Sequence, residues 1–340
     1  MATTIKQVAD RAGVSIATVS RFLTGAAPVS GDAGKRIRAA VEELQYVPHE
    51  GARSLIRRRS GAVGVLLPDL HGEFFSELIR GIDRAARAHG LHLIVSSSNT
   101  DRRDFAASVA ATRGRVDGLI VDLPDAPNET LRRSVPDTVP VVLIGAAEGA
   151  YDSLVVDNYG GARAMTEHLI EQGRRRIAFV AGPPRNFDSA ERLRGHRDAL
   201  AAAGIRHEPS LVLPGDFGEE SGFVAAQKVL EMKNRPDAIF AGNDSMAIGA
   251  LAALQDADVE IPREIAVGGF DDIRLARYIA PSLTTVRVSI DALGQRAMER
   301  LCGLLGGNQD RVRRRETLPT ELVIRRSTDD ADGRTGSGRA

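Results

Sequence analysis

The chain has 340 residues, 43% of them apolar, with 45 basic and 45 acidic side chains and a single cysteine, Cys302. That length exceeds one ordinary domain and that apolar content supplies more than one core, while a lone cysteine excludes an intrachain disulfide and any cysteine-based metal cluster. The zero net charge hides an asymmetry: residues 1–60 hold ten Lys/Arg against five acids, a basic end of +5 on a remainder of −5, and attraction to a polyanion follows local rather than total charge.

The opening, MATTIKQVADRAG, has no apolar run of signal-peptide length, and no later stretch approaches the run needed to span a bilayer. The expectation is a soluble protein of the cytoplasm with no membrane partner. Residues 4–46 predict three short helices. Thr4 caps the first with Gln7 as its capping-box partner, and Ile5, Val8, Ala9 and Ala12 share one face. Gly13 to Ser15 break that helix, and Ser15 caps a second that turns Val19, Phe22 and Leu23 inward. A third places Ile37, Ala40, Val41 and Leu44 on its inner face, and Pro48 ends the unit.

Two short helices across a tight glycine turn, the second carrying Ile16, Ala17, Thr18, Ser20 and Arg21 outward, match a helix-turn-helix built for the major groove. Arg21 has the donor fork for a guanine edge, Ile16 and Ala17 offer apolar contact such as to a thymine methyl, and Ser20 reaches a phosphate or base. The competing reading makes Ile16 part of the core. The stretch HEGARSLIRRRSG that follows is a linker with one conditional helix turn.

From Ala62, strand-length apolar runs alternate with amphipathic helices: AVGVLLP, LHLIVSS, VDGLIVD and VPVVLIG, each followed by a helical or polar stretch. The pattern restarts after residues 157–161 with RRIAFVAG, SLVLPGD, PDAIFAG and EIAVGGF. This predicts an α/β chain with two doubly wound parallel-sheet lobes. TTVRVSIDALGQRAMERLCGLLGG and TLPTELVIRRS then cross back between them. The divisions are a head at 1–47, a hinge and linker at 48–60, and a body at 61–327. Lobe 1 spans about 61–158 and 287–308, lobe 2 about 159–286 and 316–327, and a disordered tail 328–340. The tail has no apolar heptad, so no coiled coil joins dimers into tetramers.

TIKQVADRAGVSIATVSRFLTG, then VS, RIRAAVEELQYVP and ARSL, resemble the head of the LacI/GalR family of bacterial regulators. PDLHGEFFSELIRGI, VVDNYGGARAMTEHLIEQGRRRIAFVAGP, GNDSMAIGAL and GGFDDIRLARYIAPSLTTV extend that resemblance over about residues 3–327. The resemblance implies a type I periplasmic-binding-protein body on a helix-turn-helix head. It also implies a homodimer on a palindromic operator in double-stranded DNA, nucleoid-associated when bound. By the same resemblance ARSL folds into a hinge helix whose Leu55 wedges into the minor groove with Arg53 beside it. The head departs from the family at Ala33 and Gly34, where a Thr-Arg pair usually faces phosphates, and at His49; Gly34 should weaken the third helix by about 1 kcal/mol relative to Ala.

In open α/β sheets a ligand binds beyond the carboxyl ends of the strands. By family position Phe74, Phe75 and Phe217 supply ring faces there, and Asp157, Arg192, Asn243, Asp271 and, less centrally, Asp188 supply polar anchors. The implied ligand is a small effector, a sugar or sugar phosphate, with aromatic faces on its C–H surfaces and Asp, Asn and Arg on its hydroxyls. One of Phe74 and Phe75 is expected to be ordinary core, and Asp157 and Asp244 have a competing role as helix caps. Gly145 stands where the family often has an acid, which keeps a purine in play. His168 and Cys302 read as packing residues. No catalytic, cofactor or metal motif is present: no GxSxG elbow, phosphate loop, HExxH, CxxC or GxGxxG after a first strand. The resemblance implies a ligand-switched repressor of carbohydrate-use genes, with a sugar- or purine-binding protein acting by co-repression or activation as the alternative.

Overall fold

In a computed structural model, the described residues are 3–24, 28–46, 59–97, 102–122, 128–145, 151–307 and 313–329. They fall into two compact units, residues 1–62 with 114–117, and 63–113 with 118–340. Among the described residues no helix is long and apolar enough to cross a membrane.

The first unit holds α1 (Ile5–Ala12), α2 (Ile16–Thr24) and α3 (Gly31–Glu43). The capping box at α1 forms as its sequence dictates: Thr4 Oγ1 accepts from Gln7 N at 3.4 Å and Gln7 Oε1 accepts from Thr4 N at 2.8 Å. Gly13 ends α1 in the left-handed conformation, φ 62°. Val8, Ala9, Ala12, Val19, Ile37, Ala40 and Tyr46 form the core. Ala33 and Gly34 are buried in α3, where a β-carbon on Gly34 would stand 3.1 Å from the Phe22 ring. Both positions, where the family usually has a phosphate-facing Thr-Arg pair, are buried here, and Gly34 makes room for the Phe22 ring of α2. Leu55, Arg53 and the rest of 47–58 lie outside the described residues.

The second unit contains two parallel sheets. In the first, β1 (Ala62–Leu67), β2 (His92–Ser97), β3 (Gly118–Asp122), β4 (Val141–Ile144), β5 (Asp152–Val156) and β11 (Arg315–Leu318) run in the order β11-β5-β4-β3-β1-β2. In the second, β6 (Ile177–Ala181), β7 (Val212–Pro214), β8 (Ala238–Ala241) and β9 (Ala266–Gly268) run β7-β6-β8-β9. The strands GLIVD, VVLI and AIFA are buried at every residue, as sheets covered on both faces require. Covering helices of the first lobe are α4 (Glu73–Ala88), α5 (Arg102–Thr112), α6 (Asn128–Ser134) and α11 (Ile290–Leu305). Those of the second are α7 (Asn158–Glu171), α8 (Phe187–Ala202), α9 (Glu219–Glu231) and α10 (Asp244–Asp256). Helices α4 and α11 touch backbone to backbone: a β-carbon at Gly81 would lie 2.1 Å from the Asp291 carbonyl oxygen and one at Gly294 2.4 Å from that of Leu78. No larger residue fits at either position.

A two-stranded antiparallel ribbon of β10 (Thr285–Val288) and β12 (Thr320–Val323) links the sheets. The segment 316–327 was expected wholly in lobe 2, but β11 pairs in parallel with β5 of lobe 1, Glu316 opposite Leu154, and only the residues after it cross over. Asp272 holds this crossover. Its carboxylate, with 1% of the side chain exposed, meets Arg287 at 2.7 Å and pairs with Arg325 and Arg277. The tail is also ordered further than its composition predicts. Thr328 is 2% exposed, its hydroxyl 2.8 Å from His168 Nε2 and 2.7 Å from Thr284 Oγ1. Residues 328 and 329 thus belong to the body, because a buried imidazole needs a polar partner, and 330–340 lie outside the described residues.

Candidate functional site

In the first unit, Ser15 Oγ accepts from Thr18 N at 3.2 Å and lies 2.8 Å from Thr18 Oγ1, fixing the start of α2. Ile16 is 47% exposed, which rejects its assignment to the core; Val19 alone at that end of α2 is fully buried. Ala17 and Arg21 are exposed with it, Ser20 and Thr18 half-buried. The Arg21 guanidinium folds along its own helix, Nε donating to the Ala17 carbonyl at 3.3 Å. An apolar tip, small side chains and one donor fork thus stand on the outer face of a helix capped by Ser15.

The second unit encloses a cavity of about 570 Å³ between the carboxyl ends of its two sheets, within the range of small-molecule sites. Strand ends of both sheets supply wall residues: Pro68 after β1, Asp122 at the end of β3, Gly145 after β4, Phe217 after β7, Asn243 after β8 and Asp271 after β9. Seven of the eight sequence-expected residues line it: Phe74, Phe75, Asp188, Arg192, Phe217, Asn243 and Asp271. Asp157 does not. Its carboxylate caps α7, accepting from Gly160 N at 2.9 Å, so the capping alternative holds. Phe74 and Phe75 both line the cavity, edge to face with centroids 5.4 Å apart, and both pack on the core behind them.

Arg192 organises the second-lobe wall. It is 4% exposed, and each of its three nitrogens has a partner: Nε donates to Asn158 Oδ1 at 2.7 Å, Nη1 to the Gly242 carbonyl at 2.6 Å, and Nη2 lies 3.2 Å from Asp271 Oδ1. Its guanidinium sits 3.8 Å from the Phe270 ring centroid and 5.9 Å from that of Phe217. Asn158 passes the network on, Nδ2 donating to Asp188 Oδ1 at 2.7 Å.

The Arg192–Asp271 contact is an ion pair off the line of a hydrogen bond. Asp271 Oδ1 accordingly has no hydrogen-bond partner although the residue is 4% exposed. Burial pushes the Asp271 carboxyl up to about 6, opposed by Arg192 and reinforced by Asp188. Behind it Asp244, completely buried, is also raised, by burial and by Asp271, while accepting from Ile273 N at 2.9 Å and from the Thr285 hydroxyl. Asn243, not Asp244, caps α10, accepting from Met246 N at 3.0 Å.

Phe217 holds a left-handed backbone, φ 72°, costly for an aromatic residue. Asn243 Nδ2 donates to its carbonyl at 2.9 Å, and Gly182 leaves room for the ring, since a β-carbon there would come within 2.2 Å of it. Strain at this point of the cavity wall, held by a cap residue, marks a position built for contact.

Among the contributors the sequence reading missed are the lining acids Asp69, Glu73, Asp122, Asp216 and Glu219, and Asn158 behind the wall. Asp122, 6% exposed, is the acid that closes the apolar run GLIV, and Asn158 is the neighbour of the misassigned Asp157. Asp122 also revises the reading of Gly145. A β-carbon built on Gly145 would stand 3.4 Å from Asp188 Oδ2 and 3.5 Å from Asp122 Oδ1, so the space of a missing acid is bordered by two others. Among the described residues no group of three or more His, Cys, Asp or Glu is placed to hold a metal ion.

Residues 4–49 match the lacI family of bacterial regulatory proteins and 166–328 a periplasmic binding protein-like domain. The chain is 35% identical over 336 residues to the HTH-type transcriptional repressor PurR of Edwardsiella ictaluri, covering 97% of each. It is 36% identical over 302 residues to the ribose operon repressor of Escherichia coli K12, covering 87% of this chain and 91% of that one. Among solved structures it superposes on the lac repressor dimer bound to operator and the anti-inducer ONPF with a TM-score of 0.85 at 28% identity, covering 96% and 99% of the two chains. A helix-turn-helix head, a two-lobed body around a cavity and similarity over nearly the whole length agree: the chain belongs to the LacI family of ligand-responsive, DNA-binding transcriptional repressors.

Proposed function

We propose that this regulator represses carbohydrate-use genes in the cytoplasm, binding an approximately palindromic operator as a homodimer and answering to a sugar-like effector in the cleft. Each head takes one major-groove half-site through Ile16, Ala17, Ser20 and Arg21, with Thr4, Ser15 and Thr18 near the backbone. The two Leu55 side chains wedge into the central minor groove, flanked by Arg53. Effector closes the lobes, repositions the first-lobe surfaces where the protomers meet, and melts the hinge.

The observation that carries this reading is the cavity wall itself. Aromatic faces from Phe74, Phe75 and Phe217 stand beside carboxylates of Asp122, Asp188 and Asp271, a set suited to the C–H faces and hydroxyls of a sugar ring. Asp122 supplies the first-lobe acceptor that Gly145 lacks, which favours a sugar over a purine. Coupling requires that effector bind one hinge arrangement more tightly than the other. The test is a thermal-shift screen of the full chain against sugars and nucleobases, followed by gel shifts on operator-like palindromes with each hit. The reading expects a sugar to stabilise the protein by mass action and to release DNA. A nucleobase that tightens operator binding would replace induction by co-repression.

A further inference from the structure

We propose that the cleft admits an uncharged or amine-bearing polyhydroxylated ring and rejects phosphorylated and carboxylated ligands of the same shape. This rests on the cleft being the effector site and concerns the chemistry that site selects. Seven carboxylates line the cavity against one guanidinium. Asp122 and Asp271 are buried, Asp188 is half-buried, and the others stand nearer solvent. An ionised carboxylate only accepts hydrogen bonds, so a ligand here must bring donors.

The cationic groups that would receive an oxyanion are already engaged. All three nitrogens of Arg192 have partners within the protein, and its faces lie against Phe270 and Phe217. His71 at the cavity edge pairs with Asp69 at 2.8 Å. Among the neutral donors, Asn243 Nδ2 serves the Phe217 carbonyl and Ser245 Oγ serves Glu219.

Four helices begin at the cleft, and such positive ends ordinarily attract anions. Here three carry in the first turn an acid that lines the cavity, Glu73 in α4, Asp188 in α8 and Glu219 in α9, and the fourth, α10, presents its cap residue Asn243, which already accepts from Met246 N. The dipoles are answered from within, and a phosphate would meet carboxylate instead of free amide. Asp271 Oδ1, in a residue 4% exposed, has the Arg192 guanidinium at 3.2 Å but no hydrogen bond, so it is placed to accept one from a ligand hydroxyl or ammonium. A dianionic group within about 6 Å of one ionised carboxylate is disfavoured by far more than tenfold, even at an effective dielectric near 20.

The full-length protein is to be titrated calorimetrically with matched pairs: glucose and glucose 6-phosphate, ribose and ribose 5-phosphate, glucosamine and glucuronate. The uncharged or amine member of a bound pair should bind at least about a hundredfold more tightly than its anionic partner. Asp122→Asn, with Asp188→Asn as the second variant should the first misfold, should narrow that ratio at least about tenfold by removing one repelling charge. Equal or tighter binding of an anionic member overturns the selectivity and leaves the effector cleft standing. No heat from any member, charged or not, overturns both. A ratio unmoved in both variants assigns the discrimination to shape and overturns the role given to the carboxylates.

Discussion

Removing the Arg192 side chain tests how the cleft wall is held. Arg192→Ala deletes hydrogen bonds to Asn158 Oδ1 and the Gly242 carbonyl, the ion pair with Asp271 and the stack on Phe270. The Asp271 part has a ceiling. Its carboxyl already titrates at about 6, so at pH 7 the folded variant can take up a proton for about 1.4 kcal/mol beyond the present cost of keeping the charge buried. The two hydrogen bonds, one of which leaves a buried carbonyl without its donor, add about 1–3 kcal/mol, and the lost stack about 0.5–2 kcal/mol. With the ceiling of the Asp271 part the sum is about 3–6 kcal/mol, which overlaps the cost of breaking other buried pairs.

The assay is urea unfolding of wild type and variant at pH 7.5 and pH 5.5. A group whose folded pKa is raised contributes stability below its unfolded pKa and loses it as pH rises through the folded value. Without Arg192 the Asp271 carboxyl titrates higher still, so the variant's defect should shrink by about 1 kcal/mol at the lower pH. A defect below 1 kcal/mol, or one identical at both pH values, would refute the ion-pair account. Effector binding should be lost in either buffer while operator binding persists.

Three further expectations follow from single contacts. Arg21→Ala should cost about 1–3 kcal/mol in operator affinity and relax preference at one base position, measured by binding to a set of operators mutated one pair at a time; uniform weakening across all of them would assign Arg21 to phosphate. Leu55→Ala should abolish high-affinity operator binding and spare effector affinity, read by gel shift and calorimetry on one preparation, and unchanged operator affinity would dismiss the minor-groove wedge. His196 is buried between Phe179 and Phe240, 3.0 Å from the Thr166 hydroxyl, and burial lowers its pKa to about 3. A depressed histidine contributes stability above its unfolded value near 6.5 that is lost as pH falls toward 3. Going from pH 8 to 5 should therefore destabilise wild type by about 2 kcal/mol more than His196→Phe, and parallel acid profiles would contradict it.

Much of this molecule was legible because its local signals agree with its packing. The cap at Thr4, the break at Gly13 and the apolar spacing from Val8 to Ala12 specify the head, and buried runs such as GLIVD and AIFA specify parallel strands. Sequence pattern was weakest where long-range pairing decides. TLPTELV contains two strands that join different sheets, β11 and β12, separated by Pro319, and no periodicity distinguishes their partners. Thr328 looks like tail until His168, 160 residues earlier, is seen against it.

The cleft followed the same division. Aromatic and charged residues at strand ends could be selected, but Asp157 and Asn158 exchange roles within one turn, since only the direction of α7 decides which side chain caps it and which reaches Asp188. Asp122 was hidden because a single acid after four apolar residues reads as the end of a strand. Gly34 reads as a defect in a helix until the Phe22 ring is placed over it.

The central claim is that occupancy of the cleft changes the hold on DNA. It is tested most directly by titrating a labelled operator with the full-length protein, with and without a saturating ligand found by thermal shift, in wild type and in Asp271→Asn. The account predicts at least about a fivefold change in operator affinity in wild type, the lower end of ordinary coupling energies, and its loss in the variant. Identical operator affinity with the cleft empty and the cleft saturated would contradict it.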